Sequence, residues 1–391
     1  MAQVHVPANS YCYTKLKYLH YGLGSISKLP ETVKSLGASR AMILTGKSLA
    51  KVPIFEDISK ALGPVHVASF TEIGQHSAIA DIKAVLEIIK EKNADLLIAL
   101  GGGSPTDATK AISYYMNQST GQGFLKIIAI PTTLSAAEYT QIAGYTNEEG
   151  HKVGVIDPEL APDAVILDGN LTAYTPARLW LSSGIRALDH GVETLYRQPT
   201  VAFPVIELAL ASIPQLFVNL LKSHADPSDL EARQQLLNAA YLSLSPNLWL
   251  NPFAFGLSHS LGHKIGSTYH IPHGITSCLT LAKSVALKAR HSDPYSQENL
   301  TRAVKRLKAE IGDVLPAVTA ANEPEASRGG VILSQYIEDL IERLGLSTTL
   351  AEWKVPKSDL EDIAKMIAGD GAAGDEGQPS VIQVHELLKS I

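Results

Sequence analysis

The pattern of predicted secondary structure changes once along the chain, near residue 170. Before that point, short apolar runs rich in β-formers alternate with helical patterns such as residues 79–92. The apolar runs cover residues 41–45, 95–100, 126–130 and 164–168. Near-continuous apolar strands that alternate with helices are typical of a parallel sheet covered by helices on both faces.

Beyond about Pro176 the strand signals stop. The following segments carry apolar residues at three- and four-residue spacing, as amphipathic helices do, at 201–221, 229–244, 297–311 and 331–344. The sequence therefore predicts two domains. The first is an α/β domain with a Rossmann-like parallel sheet at residues 1–170, and the second is an all-helical domain at residues 171–391.

The composition predicts a cytoplasmic protein. A chain of 391 residues with 45% hydrophobic content can bury the cores of two domains. A net charge of −6 offers no broad basic surface, so we expect no nucleic-acid partner. Two cysteines, Cys12 and Cys278, favour a reducing compartment over a disulfide framework. Neither a targeting signal nor an apolar run of about 18 residues is evident, so we expect no membrane partner.

Histidines cluster in the second domain. Four of the 13 lie within one short segment, at positions 259, 263, 270 and 273. Imidazole at pH 7 is both a metal ligand and a proton carrier, so such a cluster indicates chemistry. His259 and His263 stand four residues apart, which places both rings on one face if the segment is helical.

A second helical pattern adds Arg186 and His190, again four residues apart. Histidines from the two segments could fill most of a metal's coordination shell. Arg186 opposes that reading, because a permanent cation repels a divalent metal. An ordinary ion pair of Arg186 with Asp189 or Glu193 on the same helix is the alternative interpretation.

A glycine triplet lies in the first domain, between a predicted strand and a predicted helix. Gly101, Gly102 and Gly103 are followed by Ser104, so bare backbone amides at a helix N-terminus could hold a diphosphate. The segment is neither a G-x-G-x-x-G fingerprint nor a Walker loop, and such glycines can simply turn the chain. A second strand ends at 131–133 and offers threonine hydroxyls where a nucleotide would cross the strand ends.

These motifs together resemble the iron-containing (group III) alcohol dehydrogenase family. The segments that carry the resemblance are 101–107, 131–133, His190, His259, His263 and 272–274. The resemblance implies a dehydroquinate synthase-like, iron-type alcohol dehydrogenase architecture. Within the family the chain is most similar to maleylacetate reductases, through residues 190–196 and 148–168. The family often forms dimers, so a homodimer is expected.

The resemblance also implies roles for individual residues. The cofactor-binding positions that match those of the family are Gly101, Gly102, Gly103, Ser104, Asp107, Thr132, Thr133 and Leu134. Metal-dependent members use one aspartate and three histidines, and the histidines correspond to His190, His259 and His273. The aspartate position is Arg186 here, so a bound iron or zinc ion is not expected. Maleylacetate reductases are generally regarded as able to work without the metal.

The first strand bears on the choice of cofactor. NAD-selective relatives place an aspartate directly after Thr45, whereas this chain has Gly46 and then Lys47. Without that carboxylate, and with a lysine in reach, a 2′-phosphate can be accommodated. Either NADPH or NADH is expected, and NADPH is favoured.

The resemblance predicts a reductase that passes a hydride to an activated C=C or C=O bond of a small, oxidised, anionic substrate. Arg186 would hold a carboxylate or a developing enolate, and His263 or His259 would supply the proton. The alternative is a redirected family member that dehydrates, cyclises or isomerises a biosynthetic intermediate in the same cationic pocket, because a fold does not fix its chemistry.

Overall fold

The strands lie in the first part of the chain. The computed structural model describes residues 11–74, 77–197, 201–245, 256–368 and 379–391. Its strands are β1 (Tyr18–Tyr21), β2 (Ala41–Leu44), β3 (His66–Phe70), β4 (Leu96–Gly101), β5 (Lys126–Pro131), β6 (Ile142–Thr146), β7 (Lys152–Ile156) and β8 (Ala164–Leu167). Six strands form one parallel sheet in the order β1-β8-β5-β4-β2-β3. Strands β6 and β7 form a separate antiparallel hairpin.

Helices surround the sheet and then make up the rest of the described chain. Those of the first part are α1 (Leu29–Ser35), α2 (Pro53–Leu62), α3 (Ile79–Lys92) and α4 (Gly103–Thr120). The later ones are α5 (Gly169–Thr172), α6 (Ala177–Thr194), α7 (Phe203–Ala225), α8 (Leu230–Ser243), α9 (Leu257–Tyr269), α10 (His273–His291), α11 (Pro294–Ile311), α12 (Glu325–Arg343), α13 (Leu360–Ala368) and α14 (Val381–Lys389). An α/β part followed by a helical part confirms the predicted fold class.

The sheet is buried on both faces, as near-continuous apolar strands require. Successive side chains of a strand point to opposite faces. In β2, Ile43 packs in the core formed with α1 and α2, whereas Met42 and Leu44 pack in the core formed with α3 and α4. All three side chains are fully buried.

Strands β2, β4, β5 and β8 confirm the strand predictions to within a residue or so. The sequence did not reveal β1 and β3, which form the two edges of the sheet. Their residues are half-buried or exposed, so they lack the continuous apolar run that marks the central strands. The hairpin of β6 and β7 escaped prediction for the same reason, since it is only partly covered.

The strand order reverses between β2 and β4. From β2 the chain moves outward to β3, then crosses back to β4 and continues to β5 on the other side. Ligands of open α/β sheets bind outside the carboxyl ends of the strands at such a reversal. Gly46 lies just after β2 and Gly102 directly after β4, so Gly46 and the glycine triplet both lie at this crevice.

The helical part and the sheet share one apolar core. This core joins residues of α6, α7, α8, α10, α11 and α12 with Ala129 of β5 and Val165 and Leu167 of β8. Helix α7 is long and apolar enough to cross a membrane by length and composition, which the sequence reading did not anticipate. About 61% of its most apolar stretch is buried within the protein. Helix α7 packs against α6, α8 and α11.

Candidate active site

Three helices of the second domain meet closely at the predicted histidine site. A Cβ on Gly262 of α9 would lie 2.7 Å from the Thr276 hydroxyl of α10. A Cβ on Gly274 of α10 would lie 2.6 Å from the Ser182 backbone of α6. Glycine therefore allows these helices to approach, and their polar residues come together between them.

His259 of α9 is bound by two carboxylates of α6. Its Nδ1 lies 2.7 Å from Glu193 Oε2 and 3.3 Å from Asp189 Oδ1. Burial and the nearby Arg186 disfavour the charged imidazole, but the two carboxylates outweigh them and raise the pKa of His259 above its usual value. A buried imidazole that keeps a proton to higher pH can act as an acid.

Arg186 lies in the same cluster and is 8% exposed. Its Nη1 lies 3.5 Å from Asp189 Oδ2 and donates to Ser277 Oγ at 3.2 Å. Asp189 is fully buried and also accepts hydrogen bonds from Ser277 Oγ at 2.6 Å and Ser258 Oγ at 2.9 Å. Burial raises the pKa of Asp189, but His259, Arg186 and the hydroxyls outweigh it, so the net direction is down. The arginine is thus held by an ionised carboxylate.

The predicted ion pair between Arg186 and Asp189 is therefore present. Glu193 is not its partner in a direct contact, because Glu193 binds His259 and the start of α9 instead. Its Oε1 accepts the Ser258 backbone N–H at 2.7 Å. A Cβ on Gly256 would lie 2.1 Å from the Glu193 carboxyl carbon, so a bare backbone is needed there. The carboxylate satisfies a free amide at the helix N-terminus and suits its positive end.

His263 and His273 form the second half of the cluster, with ring centroids 5.4 Å apart. Burial, followed by Arg186 and Lys152, lowers the pKa of His263 to about 3, so this ring is neutral at pH 7. Lys152 Nζ, from strand β7 of the first domain, contacts His273 Nε2. His270, which had no predicted role, ends α9 with φ 56° and is exposed.

His190 stacks obliquely on His259, with ring centroids 4.8 Å apart. Burial, then the neighbouring His259 and Arg186, push the pKa of His190 well below its usual value. The ring is neutral, and its Nδ1 has no hydrogen-bond partner among the described residues.

The structure thus brings together all five predicted residues of the helical domain, namely Arg186, His190, His259, His263 and His273. Three further side chains of this cluster were not predicted as site residues from the sequence. Asp189 and Glu193 were considered only as partners of the arginine, although their spacing along α6 aims both at α9. Lys152 gave no signal, because it reaches the site from a hairpin far away in the sequence.

The predicted phosphate loop lies at the carboxyl end of β4. Gly101 has φ 139°, a conformation that favours glycine, and Gly102 precedes the first turn of α4. A Cβ on Gly102 would lie 3.0 Å from Thr133 Oγ1, and one on Gly103 would lie 3.4 Å from Ser135 Oγ. The loop therefore faces the segment after β5, and Leu134 N of that segment donates to Ser183 Oγ of α6 at 3.0 Å.

Asp107 connects this loop to the histidine cluster. A Cβ on Gly144 would lie 3.7 Å from its Oδ2 and 3.5 Å from Lys152 Cε. Burial raises the pKa of Asp107 to about 6, although Lys110 and Lys152 act in the opposite direction. Asp107 therefore lies between the predicted cofactor loop and the lysine that reaches His273.

A charge pair joins the segments that follow β2 and β3. Lys47 Nζ is 3.1 Å from Glu72 Oε2, and Glu72 follows strand β3. The sequence analysis considered only the position directly after Thr45, which lacks a carboxylate. Strand pairing brings the segment after β3 beside the segment after β2 and supplies a carboxylate to Lys47 from there.

Family models match both parts of the chain. The family model described as "Iron-containing alcohol dehydrogenase" matches residues 17–169, and "Fe-containing alcohol dehydrogenase family, C-terminal" matches residues 180–391. The chain belongs to the iron-containing alcohol dehydrogenase family. As a member of that family, it is an NAD(P)-dependent oxidoreductase.

Individual relatives are distant but cover most of the chain. The Dehydrogenase ALT3 of Alternaria alternata is 28% identical over 85% of this chain and 94% of its own length. A maleylacetate reductase of Sphingobium indicum is 31% identical over 75% of this chain and 79% of its own length. The crystal structure of the maleylacetate reductase of Rhizobium sp. strain MTP-10005 superposes with a TM-score of 0.79 at 25% identity, covering 98% of each chain. The chain is thus similar to the maleylacetate reductase branch.

The residues at the family's cofactor position fit a nicotinamide dinucleotide. Thr45 Oγ1, Thr133 Oγ1 and Ser135 Oγ are buried at the strand ends and have no hydrogen-bond partner among the described residues. Buried hydroxyls usually have partners, so these are available to a ligand. The glycine loop beside them leaves room for phosphates at the N-terminus of α4.

The residues at the family's metal position fit a divalent metal poorly. The resemblance to the family implies that the guanidinium of Arg186 takes the position of a carboxylate ligand, and Lys152 contacts Nε2 of His273. Among the described residues, the ligand atoms within 4.8 Å of one another are those of Asp189, Glu193 and His259 rather than of the three predicted histidines. A hydrogen bond between His259 Nδ1 and Glu193 Oε2 at 2.7 Å and an ion-pair contact of the same nitrogen with Asp189 Oδ1 at 3.3 Å account for the close approach of that trio.

Proposed function

We propose that this protein is a reductase that transfers a hydride to an activated C=C or C=O bond of a small, oxidised, anionic substrate, and that it needs no catalytic metal. The observation that carries the proposal is the buried Arg186 among four histidines, held by Asp189 and Ser277. A charged guanidinium in a low-dielectric site attracts a carboxylate or an enolate strongly.

In this proposal each residue has one task. The bound nicotinamide supplies the hydride. Arg186 holds the substrate anion and stabilises the negative charge that develops on oxygen. His259 gives its Nε2 proton to the carbon or oxygen that becomes basic, while Glu193 and Asp189 stabilise the charged ring. His263, whose pKa is lowered to about 3, is neutral and positions the substrate rather than acting as the acid.

The chemistry balances without a further reactant. A bound reduced nicotinamide would supply the hydride with its two electrons, and the one proton that the reduction needs would come from His259, which water reprotonates. We further propose that the protein works in the cytoplasm as a homodimer and has neither nucleic acid nor membrane as a partner.

The direct test is oxidation of NADH and NADPH by the purified protein with maleylacetate as the probe substrate. We expect turnover by the parent and a loss of about 10²-fold in kcat/KM for Arg186→Gln, because a donor to the developing charge is removed. Arg328→Gln, exposed at the start of α12, is the matched control and should behave as the parent.

An Arg186→Gln variant with parental kcat/KM would refute the role of the arginine. Nucleotide binding without turnover would instead favour a non-redox reaction in the same pocket.

A further inference from the structure

The ends of β2 and β3 form one fixed unit. Thr45 N donates to Phe70 O at 3.0 Å, and Ile73 N donates to Thr45 O at 3.1 Å. A Cβ on Gly46 would lie 3.2 Å from Ile73 O, so the two segments are in direct contact. Backbone hydrogen bonds on both sides therefore fix the position of Glu72 beside Gly46.

Glu72 carries the only carboxylate recorded in contact with Lys47 in the described part of the chain. Their charged atoms are 3.1 Å apart, and their side chains remain 60% and 66% exposed. An ion pair this exposed adds little to stability. Both charges stay accessible to a ligand.

The sheet order places this pair on the path of a dinucleotide. The phosphate loop follows β4, the neighbouring strand is β2, and the next strand is β3. In dinucleotide-binding α/β folds, the strand beside the phosphate-loop strand carries at its carboxyl end the acidic residue that binds the adenosine ribose. In this chain that position holds Gly46 and Lys47, and the neighbouring β3 supplies the acid.

We propose that Glu72 makes this crevice select NADH over NADPH. This inference rests on the proposed function only in requiring that a nicotinamide dinucleotide binds. The Glu72 carboxylate accepts hydrogen bonds from the ribose hydroxyls of NADH. It repels a 2′-phosphate and neutralises the lysine that would otherwise bind it. The result reverses the NADPH preference that Lys47 alone predicts.

The experiment measures Kd for NADH and for NADPH by quenching of tryptophan fluorescence, for the parent and for Glu72→Gln. We expect the parent to bind NADH more tightly. We expect the Kd ratio of the variant to shift towards NADPH by about tenfold, since one charge repulsion disappears near a doubly charged phosphate. Glu338→Gln is the control, because Glu338 pairs with Lys283 at 2.7 Å on the helical domain.

A double variant separates the two effects of Glu72, which are repulsion of the 2′-phosphate and neutralisation of Lys47. Lys47→Gln combined with Glu72→Gln should lose most of the gain in NADPH affinity. An unchanged Kd ratio in Glu72→Gln, or tighter binding of NADPH by the parent, would overturn the inference. If the ratio shifts as expected but no substrate is reduced, the selectivity stands and the proposed reductase activity fails. If neither dinucleotide binds the parent, both fail.

Discussion

At the scale of single residues, the proposed chemistry depends on the positive charge at position 186, where metal-dependent members of the family are expected to have a carboxylate. The resemblance to the family implies that Arg186 takes the position of a carboxylate ligand of metal-dependent members, and the carboxylate of Asp189 lies three residues later on the same helix. The pair leaves neither of these two charges buried without a partner, which matters because a buried unpaired charge costs several kcal/mol. Hydroxyls of Ser258 and Ser277 both donate to Oδ2 of Asp189, and Oδ1 lies 3.3 Å from His259 Nδ1. The arginine is therefore held in place by a buried carboxylate and a hydroxyl.

His259 gives a pH dependence with a definite sign. Its raised pKa means that the acid form persists to higher pH, so the reduction rate should fall as pH rises through that pKa. Glu193→Gln removes one of the two carboxylates and should move this falling limb to lower pH.

His259→Asn should lower kcat by on the order of 10²-fold, the usual contribution of a general acid.

The check is a profile of kcat against pH for the parent, Glu193→Gln and Glu338→Gln. The position of the falling limb is the readout, because a purely structural defect lowers the rate without moving the limb. A limb that stays in place when Glu193 loses its charge would exclude His259 as the proton donor.

At the scale of elements, Glu193 orients the helix that carries His259 and His263. Its carboxylate lies on the N-terminal turn of α9 and fits only because residue 256 is glycine. Helix α6 and helix α9 are thereby joined at the point where the chemistry lies. Capping interactions of this kind contribute about 1 kcal/mol.

Gly256→Ala tests this contact. The added methyl would overlap the Glu193 carboxylate, so we expect a loss of about 1–3 kcal/mol in the free energy of unfolding and a lower kcat. Gly312→Ala is the matched control, since a Cβ there meets nothing within 4 Å. Urea unfolding of both variants is the measurement. Equal stability of Gly256→Ala and the parent would mean that the contact does not hold α9 in place.

The sequence predicted the elements better than their contacts. Apolar runs revealed the buried strands and helical spacing revealed the long helices, because burial on both faces or on one stripe leaves a local pattern. The roles of Lys152 and Glu72 left no such pattern. Each depends on a pairing between distant segments, the hairpin of β6 and β7 for Lys152 and the edge pairing of β2 with β3 for Glu72. The NADPH prediction rested on Gly46, in the place of an aspartate, and on Lys47, and the pairing of Lys47 with Glu72 could not be seen in the local sequence.

At the scale of the whole molecule, the site draws its cations from both parts of the chain. Lys152 comes from the hairpin of the first domain and Arg186 from the second, and each lowers the pKa of His263. The shared core of β5, β8 and the long helices keeps the two parts together. The crevice beside the glycine loop and the pocket around Arg186 therefore meet at the boundary between sheet and helices, where the proposed hydride transfer requires them.

The most direct test of the central claim is turnover after metal removal, compared between the parent and Arg186→Asp. Both proteins are dialysed against a chelator and assayed with NADH and maleylacetate before and after addition of Fe²⁺ or Zn²⁺. The account predicts that the parent keeps its kcat through chelation and gains nothing from either ion. It predicts that Arg186→Asp is inactive until a metal is added, since the variant restores a carboxylate ligand. A parent that loses turnover on chelation and regains it with iron or zinc would contradict the account.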